Sequence, residues 1–325
     1  MENIETLVLG KEEVEKLLSM EETVQALENA LKKEFQMPPK VYLPLPQHNG
    51  DFRAMPAYQE PYASLKWVNV HPNNPQKGLP TVMATILLNR AENAVPLAIM
   101  EGTRITAYRT GAMGALASKY LARKNSQVLG LVGSGVQART QLLAHQVTMP
   151  GLTEALIYDR KPEAAEAFIR EMQPQVKMKL RPASTVQKAV EGVDILCTVT
   201  PSRKYLVERK WVKEGTHINA IGADAAGKQE LDPQILKDAR LIADDLQQAI
   251  HGGEPNVAIS QGIISESDIK GTLIEVIRGE KKGRENAKQI TVFTSTGLAI
   301  QDLATASKVY ENAKAKGIGL KVRLV

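Results

Sequence analysis

The sequence predicts an α/β protein of two domains, one of them a parallel sheet covered by helices on both faces. Three observations carry this. From about residue 126, short apolar segments (VLGLV, ALIYD, MKLRP, VDILCTVT, THINAIG, RLIAD, QITVFTS) alternate with helical stretches such as PEAAEAFIREM, the pattern of strand–helix–strand units. The first of those strands runs into a glycine turn that opens a helix. Before residue 126 the texture differs: a helical start is followed by strands separated by turn-rich pieces. A chain of 325 residues is long enough for two domains.

In order along the chain, MENIETLVLGKEEVE reads as acidic and helix-forming. Val14, Leu17, Leu18, Val24, Leu27 and Leu31 recur at helical spacing, and Ser19 followed by Glu22 is a capping-box pattern, so two short helices meet near Ser19. VYLPL, LKWVN, VMATILL and VPLAIM read as strands, with Pro44 placing VYLPL at a sheet edge. In DFRAMPAY, the apolar piece after Arg53 is expected to stop at Pro56. Residues 105–123 form a helix whose small residues permit close packing. The final helix, TGLAIQDLATASKVYENAKAKG, is expected to return to the first domain. The boundaries predicted are 1–124 with 304–325 for one domain and 125–303 for the other.

Composition excludes several classes. With 43% apolar and 24% charged residues the chain is not disordered. One cysteine, Cys197, cannot make an internal disulfide and sits in an apolar strand as core. No apolar run approaches the ~20 residues that span a bilayer, and the N-terminus lacks a signal-peptide pattern, so a cytoplasmic protein is expected. The net charge of +5 is spread along the chain and aromatics are only 4%, which argues against nucleic acid. No His, Cys, Asp and Glu cluster has metal-ligand spacing, so no metal is expected. His71 and His251 read as structural residues of turn segments.

The glycine turn holds Gly133, Gly135 and Ala138 in the G-x-G-x-x-G/A pattern of a Rossmann domain. Gly133 permits the tight turn, Gly135 lets backbone approach a pyrophosphate, and Ala138 keeps helix and sheet close. The N–H groups of the helix start face the anion. Asp159 ends the next strand 24 residues after Gly135, about where an acid takes the ribose hydroxyls and repels a 2′-phosphate, so NAD is expected over NADP. Arg160 beside it pulls the other way. Outside this motif, Arg53, Lys66 and Arg109 each place a cation in apolar surroundings, and Asp224 and Lys228 follow the strand HINAIG. Buried charge needs a partner, and a bound carboxylate supplies one.

Taken together, RAMPAY, LKWVNVHPNNPQKGLPTVMA, YRTGAMGALASKYLAR, GLVGSGVQA, TVTPSRK, HINAIGADAAGKQELD and STGLAIQD resemble the ornithine cyclodeaminase/mu-crystallin family. Within it the likeness is to the archaeal-type alanine dehydrogenases. The resemblance implies a homodimer, with a dimerising, substrate-binding domain built from both chain ends. It implies acid–base catalysis by Lys66 and Asp224, and substrate binding by Arg53, Lys66, Arg109 and Thr296, with Arg53 and Arg109 on the carboxylate and Lys66 on the keto oxygen. It also implies NAD contacts from Thr81, Arg109, Thr110, Gly133, Gly135, Val136, Gln137, Asp159, Arg160, Thr200, Pro201, Ile221, Gly222, Lys228 and Ser295. Cyclodeaminases of this family carry an acid at the position of Arg53, where it meets the second amine of ornithine; an arginine favours a small neutral amino acid instead. The implied reaction is NAD-dependent interconversion of L-alanine with pyruvate and ammonia. A cyclodeaminase or imine reductase of the same family, or a crystallin-like nucleotide binder, stays open on sequence.

Overall fold

The computed structural model describes residues 4–324. The chain divides into two compact units, between Arg109 and Thr110 and again between Gly297 and Leu298.

The first unit contains β1 (Thr6–Leu9), α1 (Lys11–Leu17), α2 (Met20–Leu31), β2 (Val41–Leu45), β3 (Gly50–Gln59), β4 (Tyr62–Val70), β5 (Val82–Arg90), β6 (Pro96–Glu101) and the start of α3 (Gly102–Leu121). After the second unit it resumes with α11 (Ala299–Lys316) and β15 (Leu320–Val322). Its seven strands run in the order β15-β1-β6-β5-β4-β3-β2, so β2, which carries Pro44, is the edge strand its proline demands. Ser19 caps α2 by accepting from the Glu22 N–H, but the Glu22 carboxylate turns away to Asn312 and Lys308. Two local expectations fail. The segment TLVL is strand β1, not helix, because pairing with β6 and β15 on its two sides outweighs its acidic neighbours. The apolar piece after Arg53 runs through Pro56 as one ten-residue strand. The β2 ladder ends at Ala54, so Pro56 lies between that ladder and a lone Gln36–Tyr58 bridge.

One face of this sheet is covered by α11. Along β4, Ser64, Lys66 and Val68 are buried while Trp67 is exposed, the period-2 alternation of a half-covered strand. Met55 and Ile86 flank Lys66 across the ladders.

The second unit holds β7 (Val128–Val132), α4 (Val136–Thr148), β8 (Glu154–Tyr158), α5 (Pro162–Met172), β9 (Lys179–Pro182), α6 (Val186–Val190), β10 (Ile195–Thr198) and β11 (His217–Ala220). It continues through α7 (Pro233–Asp238), β12 (Arg240–Ala243), α8 (Leu246–Gly252), α9 (Asn256–Ser260), β13 (Ile269–Thr272), α10 (Leu273–Ile277) and β14 (Thr291–Thr294). All eight strands pair in parallel, in the order β13-β12-β14-β11-β10-β7-β8-β9. From β9 to β11 this is the 3-2-1-4-5 order of a Rossmann sheet, with the topological switch between β7 and β10. Two apolar clusters cover its faces, one around Leu131, Ala138 and Phe168 and one around Ile218, Leu231 and Val292.

The unit boundaries differ from the predicted 124/125 and 303/304. The first falls inside α3, because its early residue Gly102 packs on Ala84 and Ile86 while Gly111 and Gly114 lie against Thr140 and Gln141 of α4. The small residues expected to permit close packing are those two glycines. The second falls at the loop before α11, whose whole length belongs to the first unit.

Candidate active site

In the first unit the sheet supplies Lys66 and α11 supplies its partner. Lys66 is only 1% exposed, and its Nζ lies 2.7 Å from Oδ2 of Asp302. Asp302 sits in the first turn of α11, where the helix dipole favours a carboxylate. Its other oxygen accepts from Nε of Arg109 at 3.0 Å, and Nη1 of Arg109 donates to Oε1 of Gln301 at 2.9 Å. When Lys66 is protonated, two cations share one buried carboxylate and one positive charge is left over. Burial pushes the Lys66 amine down to about 7; the Arg109 charge adds to this and Asp302 opposes it. An amine titrating there can both take and return a proton near neutral pH.

Arg53 is buried on β3 but is not among the groups bonded to Asp302. It grips Asp51, two residues earlier on the same strand, through Nε at 2.7 Å and Nη2 at 3.1 Å, and lies 5.2 Å from the Tyr42 ring centre. Its charge is therefore matched within its own strand. Thr81 lies just before β5, where its carbonyl accepts from the His71 N–H.

In the second unit the expected cofactor residues gather at the carboxyl ends of the parallel strands, where open α/β sheets bind ligands. Gly133 has φ +103°, a backbone that side chains rarely adopt, and a Cβ there would meet the Val199 carbonyl at 3.1 Å. Gly135 is the N-cap of α4, no side chain caps that end, and a Cβ on Gly135 would meet nothing within 4 Å. Open space beside this uncapped helix start, next to exposed Val136 and half-buried Gln137, fits the pyrophosphate of a dinucleotide. Asp159 follows β8 and accepts from Ser134 N at 3.0 Å, Ser134 Oγ at 2.7 Å and Lys161 N at 3.0 Å. Burial opposes its ionisation, but these bonds and the Arg160 charge hold its carboxyl below the usual range. Arg160 itself is exposed. Thr110, on α3, is buried and its carbonyl accepts from Gln141.

Thr200, Pro201, Ile221 and Gly222 follow β10 and β11. The backbone N–H groups of Thr200 and Gly222 both donate to Glu230, at 2.6 and 2.8 Å, as does the Thr198 hydroxyl at 2.7 Å. Any side chain at Gly222 would run into the Thr200 carbonyl and the Glu230 carboxylate. Asp224 pairs with Lys228 at 2.6 Å in the turn after β11. Ser295, Thr296 and Gly297, after β14, all donate to Asp244, which is 1% exposed.

Sequence reasoning missed Asp302, Glu230 and Asp244. Asp302 left a signal: it is an acid among the apolar positions Leu298, Leu303, Ala306 and Val309 of an otherwise buried helix face. Cys197 is core, as expected, and burial pushes its thiol up to about 12. His71 bonds Asn69 and His251 bonds the Gln247 carbonyl of its own helix.

Comparison with known proteins places the chain as a whole. The model of the ornithine cyclodeaminase/mu-crystallin family matches residues 4–317. The alanine dehydrogenase of Archaeoglobus fulgidus is 51% identical over 325 residues, covering 98% of this chain and 99% of that protein. A solved archaeal alanine dehydrogenase dimer with bound NAD superposes with a TM-score of 0.94 at 51% identity, over 99% of this chain and 100% of the other. The Δ1-pyrroline-2-carboxylate reductase of Thermococcus litoralis, solved with NADH and L-proline, superposes with a TM-score of 0.94 at 38% identity, over 98% and 100%. On a match that spans both units, this chain belongs to the ornithine cyclodeaminase/mu-crystallin family.

Proposed function

We propose that this chain is an NAD-dependent alanine dehydrogenase that converts L-alanine, NAD and water to pyruvate, ammonium, NADH and a proton, and runs the reverse. The observation that carries the reaction class is Lys66, a buried amine held between Asp302 and Arg109. The substrate follows from likeness to the Archaeoglobus protein over essentially the whole of both chains. NAD, when bound, supplies the hydride acceptor at the α-carbon. Gly133, Gly135, Val136 and Gln137 would hold its pyrophosphate, Asp159 and Arg160 its adenosine ribose, and Thr81, Thr110, Thr200, Pro201, Ile221, Gly222 and Ser295 the remainder.

The chain's own groups do the acid–base work. With Lys66 as the ammonium, the Lys66–Asp302–Arg109 cluster carries one uncompensated positive charge for the carboxylate of pyruvate; with Lys66 neutral, the Arg109 guanidinium holds the carboxylate of alanine. Neutral Lys66 accepts the proton released as the carbonyl forms; its ammonium form returns that proton to the keto oxygen in the reverse direction. Asp224, tethered by Lys228, orients the amine or the attacking water, and Thr296 completes the substrate set. Arg53 steers the carboxylate from within its Asp51 pair.

A homodimer is part of the reading. The sheet face opposite α11 exposes Trp67, Met83 and Leu87, with Phe52 stacked on Trp67 at 5.1 Å and Leu43 exposed on β2. An apolar face of this kind fits a second copy of the chain. No helix of the described residues is long and apolar enough to cross a membrane, and a cytoplasmic setting is the one we assign.

A second reading, reduction of a cyclic imine such as Δ1-pyrroline-2-carboxylate, is favoured by the likeness to the Thermococcus reductase. One panel separates them, read at 340 nm: L-alanine with NAD, pyruvate with NADH and ammonium, Δ1-pyrroline-2-carboxylate with NADH, and ornithine with NAD. Fastest turnover of the alanine–pyruvate pair supports the proposal. Turnover confined to the cyclic imine replaces it with the second reading, and proline formed from ornithine without net NADH identifies a cyclodeaminase.

A further inference from the structure

We propose that Asp302 is the positioning residue of the substrate site: a single carboxylate that holds Lys66 and Arg109 together and leaves them one positive charge for one substrate carboxylate. This rests on the reading in which Lys66 is the acid–base group. The geometry is specific. Each Asp302 oxygen takes a different cation, Lys66 at 2.7 Å and Arg109 at 3.0 Å, and all three side chains are buried, Asp302 and Lys66 to 1% exposure. Gln301, its neighbour on α11, fixes Arg109 through Oε1, while its own Nε2 is buried with no hydrogen-bond acceptor. An excess charge and an unused donor in the same cluster both call for an anionic oxygen ligand.

The other charged groups near Lys66 do not duplicate this function. Lys40, ahead of β2, and Arg109, on α3, both disfavour the Lys66 ammonium, and Asp302 is the group that favours it. Arg53 on β3 is matched by Asp51. The inner face of β5 presents Ile86 and Leu88, which carry no charge. Removing the Asp302 charge therefore lowers the Lys66 pKa, because its one stabilising anion is gone.

The test is the pH dependence of kcat/KM in both directions for Asp302→Asn and Asp302→Glu, with Lys66→Ala as reference. For Asp302→Asn, the basic limb of 2-oxo-acid reduction, which needs the ammonium, moves acidward by about one pH unit or more. The acidic limb of amino-acid oxidation, which needs the free amine, moves the same way. NADH affinity does not change. Asp302→Glu restores both limbs at reduced kcat. Limbs that stay in place in Asp302→Asn, or a Glu variant no better than Asn, overturn the proposal. An active Lys66→Ala would instead overturn the underlying reading. Wild-type enzyme provides a measurement independent of variant folding. Binding of oxamate to the NADH complex, followed by calorimetry in buffers of different ionisation enthalpy, should take up a fraction of a proton at pH 8 and none at pH 5. No uptake at pH 8 overturns the proposal.

Discussion

Two buried polar clusters, one in each unit, are built in opposite ways. In the first, Lys66, Arg109 and Asp302 are ionisable groups paired charge to charge. In the second unit, one polar cluster beneath the sheet is built from uncharged groups: Ser118 contacts His145 at 2.8 Å, Asn219 donates to Ser118 at 2.8 Å, and His217 bridges Asn219 and Thr291 at 3.0 and 2.9 Å. Burial pushes His145 down to about 4 and His217 to about 3, the latter helped by the Arg284 charge, so both are uncharged near neutrality. The difference follows from task. A network that only joins α3, α4, β10, β11 and β14 needs satisfied hydrogen bonds. A group that moves protons must stay close to ionisation, and that requires charge partners.

The largest expected effect tests the charged region. Lys66→Ala should lower kcat by about 10²–10⁴-fold, while NADH fluorescence titration gives an unchanged Kd. Near-wild-type turnover would remove Lys66 from the mechanism.

Acid tests the neutral region. His145 binds its proton at about 4 folded against 6.5 unfolded, so the unfolded chain holds more protons as pH falls below 6.5. Stability is then lost from pH 6.5 down through 4, by about 3 kcal/mol for His145. Urea midpoints measured between pH 7 and 4 should fall, and the fall should be shallower for His145→Gln. Equal slopes for the two proteins would mean that other groups dominate acid unfolding.

Cofactor choice sharpens the contrast between a site made of side-chain charge and one made of backbone. Asp159→Ser should narrow the preference for NAD(H) over NADP(H) by about ten- to a hundredfold, measured as the ratio of kcat/KM values. Equal use of both cofactors by the wild type would give Arg160 the deciding part. A smaller change tests the turn itself. Gly133→Ala, strained at φ +103°, should weaken NADH binding about tenfold and leave the pH limbs assigned to Lys66 in place. A shifted limb would show that the turn and the lysine are not independent.

How much of this was legible follows from the same contrast. The glycine turn could be read from LGLVGSGVQA because a backbone site is made by neighbours in sequence: a strand, a positive-φ glycine and a helix start. Asp159 lies one strand further on, at a spacing that the strand–helix–strand unit dictates. The cations Lys66, Arg53 and Arg109 could be picked out singly by their apolar surroundings, but their partners could not. Asp302 is 236 residues from Lys66 in the chain and meets it only because α11 returns to cover the first sheet. Asp51 was readable in principle, since residues two apart on a strand share a face, yet that requires knowing that β3 begins before Arg53.

By itself, the sequence determined the alternation that makes the parallel sheet, the edge position of β2 through Pro44, the cap at Ser19 and the small-residue contact of α3, because each depends on local geometry or on periodic burial. Tertiary structure decided the rest. The segments TLVL, IKGT and LKV are strands of three or four residues whose hydrogen bonds come from other parts of the chain. The division of the two units inside α3 depends on which neighbour each half of one continuous helix packs against. The pairing of Lys66 with Asp302 exists only once a sheet face and a distant helix exclude water between them, which is also what moves the lysine's pKa towards neutrality.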